Sequence, residues 1–210
     1  MSDGFTAKIL CERHNNGLSP LDAYFEKIDS VLVEIGNCLL NGNLTEDRIY
    51  FIDGFLFESA ILKSSMSFMF SKILKEDIDI NTVGRKRLSD WLLGWEEPAK
   101  ECGLSFGMAQ AQYKDGAFSY FNTLRDKSKV IGAHFGFRNL YCLIRLFRGN
   151  VSAFNGLHAK LIEFKANSGS SCYVFFGWDE PIRAKDQIGR YSGWSDHLWS
   201  EKVGSPPWSS

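Results

Sequence analysis

The chain has 210 residues, 44% hydrophobic and 14% aromatic, with 17 Phe, 7 Tyr and 6 Trp; this is enough apolar surface for one sizeable core and excludes a chain disordered throughout. Formal net charge is -1, but residues 1–105 carry 11 Lys and Arg against 17 Asp and Glu, a net of -6, while residues 106–210 carry 13 against 8, a net of +5. The first residues, MSDGFTAKIL, lack the basic and apolar regions of a secretory leader, and no run reaches the ~18 apolar residues of a membrane span, so the expected setting is cytoplasmic, with no membrane partner.

The stretch SPLDAYFEKIDSVLVEIGNCLL predicts an amphipathic helix. Ser19 is a capping residue, Pro20 fits the first helical position, and Leu21, Tyr24, Ile28, Val31, Leu32, Ile35 and Leu39 recur at helical spacing. NGN at 41–43 stops it, because Asn and Gly tolerate left-handed backbone angles. From Ile49 to Leu74, RIYFIDGFLF has strand composition and ESAILKSSMSFMFSKILK has helical spacing, which predicts a strand or turn and then a helix. In RKRLSDWLLGWEEPAK, Leu88, Trp91, Leu92 and Trp95 form a second helical stripe, closed by Pro98.

Beyond Gly103 the spacing shifts towards a period of two in SKVIGAHFGF, LYCLIRLFRG, LHAKLIEFK and CYVFFGW, separated by the turn-forming RGN and ANSGSS. The expected fold is α+β, with a helical N-terminal half packed on a C-terminal antiparallel β-meander. No repeat or linker is visible, so residues 1–210 are expected to form a single domain: 1–102 mainly helical, 103–185 β-rich, and 186–210 an irregular Trp-containing tail.

The five cysteines are scattered, with no CxxC, so free thiols and neither a metal nor a cofactor are expected. Phosphate-cradling loops of the GxxxxGK[ST] and GxGxxG types are absent from the sequence. Ser195, Asp196 and His197 are adjacent in sequence, which is not the converging geometry of a triad. No GxSxG elbow is present either.

One pair stands apart. In GLHAKLIEFKANSGSSCYVFFGWDEP, His158 and Lys160 are two residues apart. On a strand they would share a face with Ile162 and Phe164, their Cβ atoms about 6 to 7 Å apart and both within reach of one phosphate. The stretch resembles the H-x-K half-motif of the phospholipase D superfamily, which implies a histidine that attacks phosphorus and a lysine that binds a phosphate oxygen. Here Lys165 stands where that pattern has an acid, the polar turn reads GWDEP, and no second H-x-K occurs, so such chemistry would need a homodimer.

Two binding surfaces follow from charge. From Lys114 to Lys165, nine basic residues (Lys114, Arg125, Lys127, Lys129, Arg138, Arg145, Arg148, Lys160 and Lys165) alternate with aromatics, a pattern that can serve nucleic acid. The acidic half suits a basic protein partner such as a toxin or nuclease, with Asp77, Asp79, Glu96 and Glu97 as its contact residues. The reading preferred here is a non-enzymatic protein-binding or inhibitory protein, immunity- or inhibitor-like, that occludes a macromolecular partner; the alternative is a phospholipase D-like phosphodiesterase or nuclease, active as a homodimer or degenerate, using His158 and Lys160.

Overall fold

A computed structural model of the chain describes residues 17–42, 44–70, 82–93, 96–107, 118–138, 140–149, 156–178 and 199–202. In chain order the elements are α1 (Ser19–Leu40), β1 (Arg48–Asp53), α2 (Gly54–Phe70), α3 (Thr82–Leu92), β2 (Gly103–Gly107), β3 (Phe118–Asp126), β4 (Lys129–Phe137), β5 (Leu140–Arg145), β6 (Leu161–Lys165), β7 (Ser171–Gly177) and β8 (Trp199–Lys202). The fold class is α+β, as the change of hydrophobic period requires.

α1 buries the stripe that defines it: Leu21, Tyr24, Ile28, Val31, Leu32 and Ile35 all face the core. Its start differs from expectation. Leu18 occupies the N-cap position without a side-chain cap, and Ser19 is already helical, because Pro20 alone pre-sets the first turn. At the other end Asn41 caps the helix and Gly42 takes a left-handed φ of 63°, the conformation that NGN allows.

β1 runs directly into α2, and Asp53 joins them. Its Oδ1 accepts from Leu56 N–H at 2.9 Å, capping the helix, while its own N–H donates to the Tyr24 hydroxyl at 2.8 Å. α2 is apolar on nearly every side, and a helix of that kind must be enclosed. Phe57 on α2 stacks on Phe106 of β2 at 6.0 Å and on Phe176 of β7 at 6.1 Å, and Phe106 meets Phe176 at 4.7 Å. One core cluster therefore runs from Leu18 to Phe176 and includes residues of both sheets.

The first sheet, in the order β2-β5-β4-β3, is wholly antiparallel. Lys127 and Arg138 take left-handed φ values of 55° and 52° at its two tight turns, as short hairpin loops require. The second sheet has the order β6-β7-β1-β8, with β1 parallel to β7 and antiparallel to β8. The β-rich region is thus divided between two sheets, and the first strand of the acidic half is central to one of them. The tail expected to be irregular contributes β8 (Trp199–Lys202), because the open edge of β1 offers it backbone partners regardless of its polar composition.

Ion pairs fasten α1 from two sides. Arg138 grips Asp29 through two bonds of 2.6 and 2.7 Å, and Lys63 on α2, only 8% exposed, reaches Asp22 at 2.6 Å and the Leu18 carbonyl at 3.1 Å. No helix among the described residues is long and apolar enough to cross a membrane.

Candidate functional site

Glu58 is the second charged side chain on the enclosed helix α2, and it is 1% exposed. A buried carboxyl group is costly unless donors converge on it. Its Oε2 accepts the Leu104 N–H at 2.8 Å and lies 2.7 Å from His158 Nε2, while His158 N–H donates to the Leu104 carbonyl at 2.8 Å. These three bonds join α2, the start of β2 and the turn before β6. With a carboxyl oxygen as partner, Nε2 carries a ring hydrogen and donates it.

His158 lies in a turn and not on a strand, which corrects the sequence expectation. β6 begins only at Leu161, and His158 has a left-handed φ of 57°, so strand alternation does not reach it. The two bonds to Leu104 and Glu58 hold this uncommon backbone conformation in place. Its ring packs on Trp178 at 4.3 Å between centroids and near Phe55 at 6.1 Å, and Trp178 Nε1 donates to the Ala159 carbonyl at 2.9 Å. Two glycines make room: a Cβ on Gly54 would fall 2.6 Å from the Trp178 ring, and one on Gly103 would fall 2.7 Å from His158 Nε2. Lys160 is exposed, while Ile162 and Phe164 are buried, so lysine and core residues point apart.

Glu58 and Trp178 were not foreseen as partners of His158. A glutamate set among apolar neighbours in FLFESAIL is the one trace of Glu58 in the sequence, and it is visible only once the whole helix is known to be enclosed.

A second place carries the acidic candidates. Between α3 and the stretch after β5 lies a cleft of about 340 Å³, floored by Leu88, Trp91, Cys102 and Leu146 and rimmed by Glu96, Glu97, Arg87 and Arg148. Glu96 and Glu97 are exposed, and Glu96 lies near enough to Lys86 to help, after Asp90, in raising that lysine's pKa. Arg148 lies 3.2 Å from Glu101 and Lys86 pairs with Asp90, so those cations are already matched. Trp91 is buried and Trp95 lies outside the described residues. Asp77 and Asp79 also lie outside the described residues.

Of the basic residues of 114–165, Arg138 is bonded to Asp29 and Arg148 to Glu101, Arg125 donates to the Ser128 carbonyl at 3.3 Å, Arg145 is half-buried on β5, and Lys127, Lys129, Lys160 and Lys165 are exposed; Lys114 lies outside the described residues. Cys38, Cys102, Cys142 and Cys172 are free thiols, and burial pushes the Cys172 thiol up to about 11 and the Cys142 thiol further up, so neither is a ready nucleophile. Among the described residues no group of His, Cys, Asp and Glu has the arrangement of a metal site. Comparison of the chain with protein-family models, with curated proteins and with solved structures finds no match in any of the three.

Proposed function

We propose that this chain is a non-enzymatic, inhibitor- or immunity-like binding protein that occludes a basic macromolecular partner, with Glu96 and Glu97 at the centre of the contact. The observation that carries this reading is the rim of the α3 cleft, where two neighbouring carboxylates stand exposed beside an apolar floor that includes Trp91. A long cationic side chain of a partner would find a charge at the rim and a Trp91-lined surface below it. The expected partner is a basic toxin or nuclease, and the acidic first half would speed encounter as well as strengthen it.

The test is to recover partners on the immobilised protein and measure their affinity for the wild type and for a variant with Asp77, Asp79, Glu96 and Glu97 changed to Asn or Gln. Affinity and its salt dependence should both fall. Unchanged values for both would refute the reading.

The phospholipase D-like alternative rests on one favourable feature: the His158 side chain is 31% exposed, in the same turn as the exposed Lys160. His158→Asn distinguishes the two. Under the binding-protein reading neither form cleaves phosphodiesters or nucleic acids, and the substitution costs about 1 to 2 kcal/mol through the lost bond to Glu58. A wild-type phosphodiesterase activity abolished in a stably folded His158→Asn protein would establish the alternative.

A further inference from the structure

β6 (Leu161–Lys165) is the outermost strand of its sheet among the described residues. Ala166 N–H donates to the Ser170 carbonyl and Phe176 N–H to the Lys160 carbonyl, each at 2.9 Å. In an antiparallel ladder the hydrogen-bonded pairs recur every second residue, so residues 160, 162, 164 and 166 turn their backbone groups towards β7. Leu161, Glu163 and Lys165 therefore turn theirs outwards, to an edge along which no described strand pairs. Unpaired edges of this kind recruit a further strand unless their side chains forbid it.

We propose that this edge is a self-association surface, on which β6 of a second copy of the chain pairs antiparallel with Glu163 opposite the second copy's Lys165 and Lys165 opposite its Glu163. The side chains select both the occupant and the register. Leu161, Glu163 and Lys165 are all exposed on the outer face, so the charges lie where a paired strand would meet them. Antiparallel two-fold pairing must match outward-facing residues with one another. Centring it on Glu163 sets two carboxylates face to face, whereas centring it on Phe164 creates two reciprocal Glu–Lys contacts and sets the exposed Leu161 opposite Asn167. Glu163 Oε1 accepts from the Ser171 hydroxyl of β7 at 2.7 Å, so its carboxylate leans over the sheet and would share itself between Ser171 and the incoming lysine. A five-residue strand covers less than a standard interface, so the association is weak and concentration-dependent.

Sedimentation velocity of the full chain from micromolar to millimolar concentration tests this, with folding followed by circular dichroism. The wild type should self-associate, and Glu163→Lys and Lys165→Glu should each weaken association by about tenfold or more, since each replaces two attractive contacts by two repulsive ones. Lys165→Glu leaves the Ser171 bond to Glu163 intact, so its effect is not one of local unfolding. The double variant restores both contacts with the charges exchanged and should recover the wild-type affinity to within about threefold. A wild type monomeric at millimolar concentration, or a double variant as weak as the single ones, would overturn the proposal.

Discussion

Glu58 and the neighbouring pair Glu96 and Glu97 bring the same functional group into opposite surroundings. Glu58 sits on the enclosed helix α2 with the Leu104 amide and the His158 ring aimed at one oxygen. Glu96 and Glu97 sit on the rim of a cleft, open to solvent. A carboxyl group withdrawn from water must be answered by the fold itself, and once answered it is a fastening. One left in water at a cleft costs the fold little and keeps its charge for another molecule. The difference teaches that the acidic half holds acids of two kinds: the buried Glu58 fastens the β2 strand and the His158 turn to the core, and Glu96 and Glu97 face solvent.

The largest expected effect comes from breaking the buried member. Glu58→Ala leaves the Leu104 amide without its acceptor and opens space beside α2, and should cost about 3 to 5 kcal/mol in urea unfolding. Glu96→Gln with Glu97→Gln, measured in the same way, should leave the unfolding midpoint where it was. Equal losses in the two experiments would erase the distinction between the buried and the exposed acids.

A smaller effect tests the setting of the buried acid and not the acid itself. Gly103 has a φ of +144°, and an added Cβ would lie 2.7 Å from His158 Nε2 and 3.2 Å from Glu58 Oε2. Gly103→Ala should therefore destabilise by about 2 kcal/mol, through backbone strain together with displacement of the histidine. Because the His158 ring packs on Trp178, tryptophan fluorescence should shift as well. Wild-type stability and spectrum would show that the site tolerates a carbon it has no room for.

The smallest effect transfers the comparison to histidine. His134 on β4 meets the Tyr141 hydroxyl, and burial holds its pKa below the usual 6.5. A base with a depressed folded-state pKa binds its proton first in the unfolded chain, so stability is at its full value above pH 6.5 and falls as the pH drops from there towards the folded-state value. His134→Gln should flatten the stability curve below pH 6.5. A wild-type curve with no slope assignable to His134 would show that its burial has no consequence for folding.

Composition and spacing alone determined most of the local elements, β8 excepted, which lies in a tail whose composition predicts irregular structure. The stripe from Leu21 to Leu39 specifies α1, the stripe of Leu88, Trp91 and Leu92 specifies α3, and the change of period past Gly103 specifies strands, which together make the fold α+β; RIYFIDGFLF followed by ESAILK specifies a strand or turn and then a helix, which the structure starts earlier, at Gly54. Each depends on residues within a few turns of one another, and periodicity records such information directly. Only the tertiary structure decided which strands share a sheet, because alternation tells which face of a strand is buried and not which backbone lies beside it. The parallel pairing of β1 with β7, residues more than a hundred positions apart, has no local trace. His158 shows the same limit at the scale of one residue. H-x-K in a strand-like run predicts shared alternation with Ile162, but the Leu104 carbonyl and Glu58 carboxyl, brought close only by folding, turn the backbone left-handed there and give the ring a partner that sequence spacing cannot name.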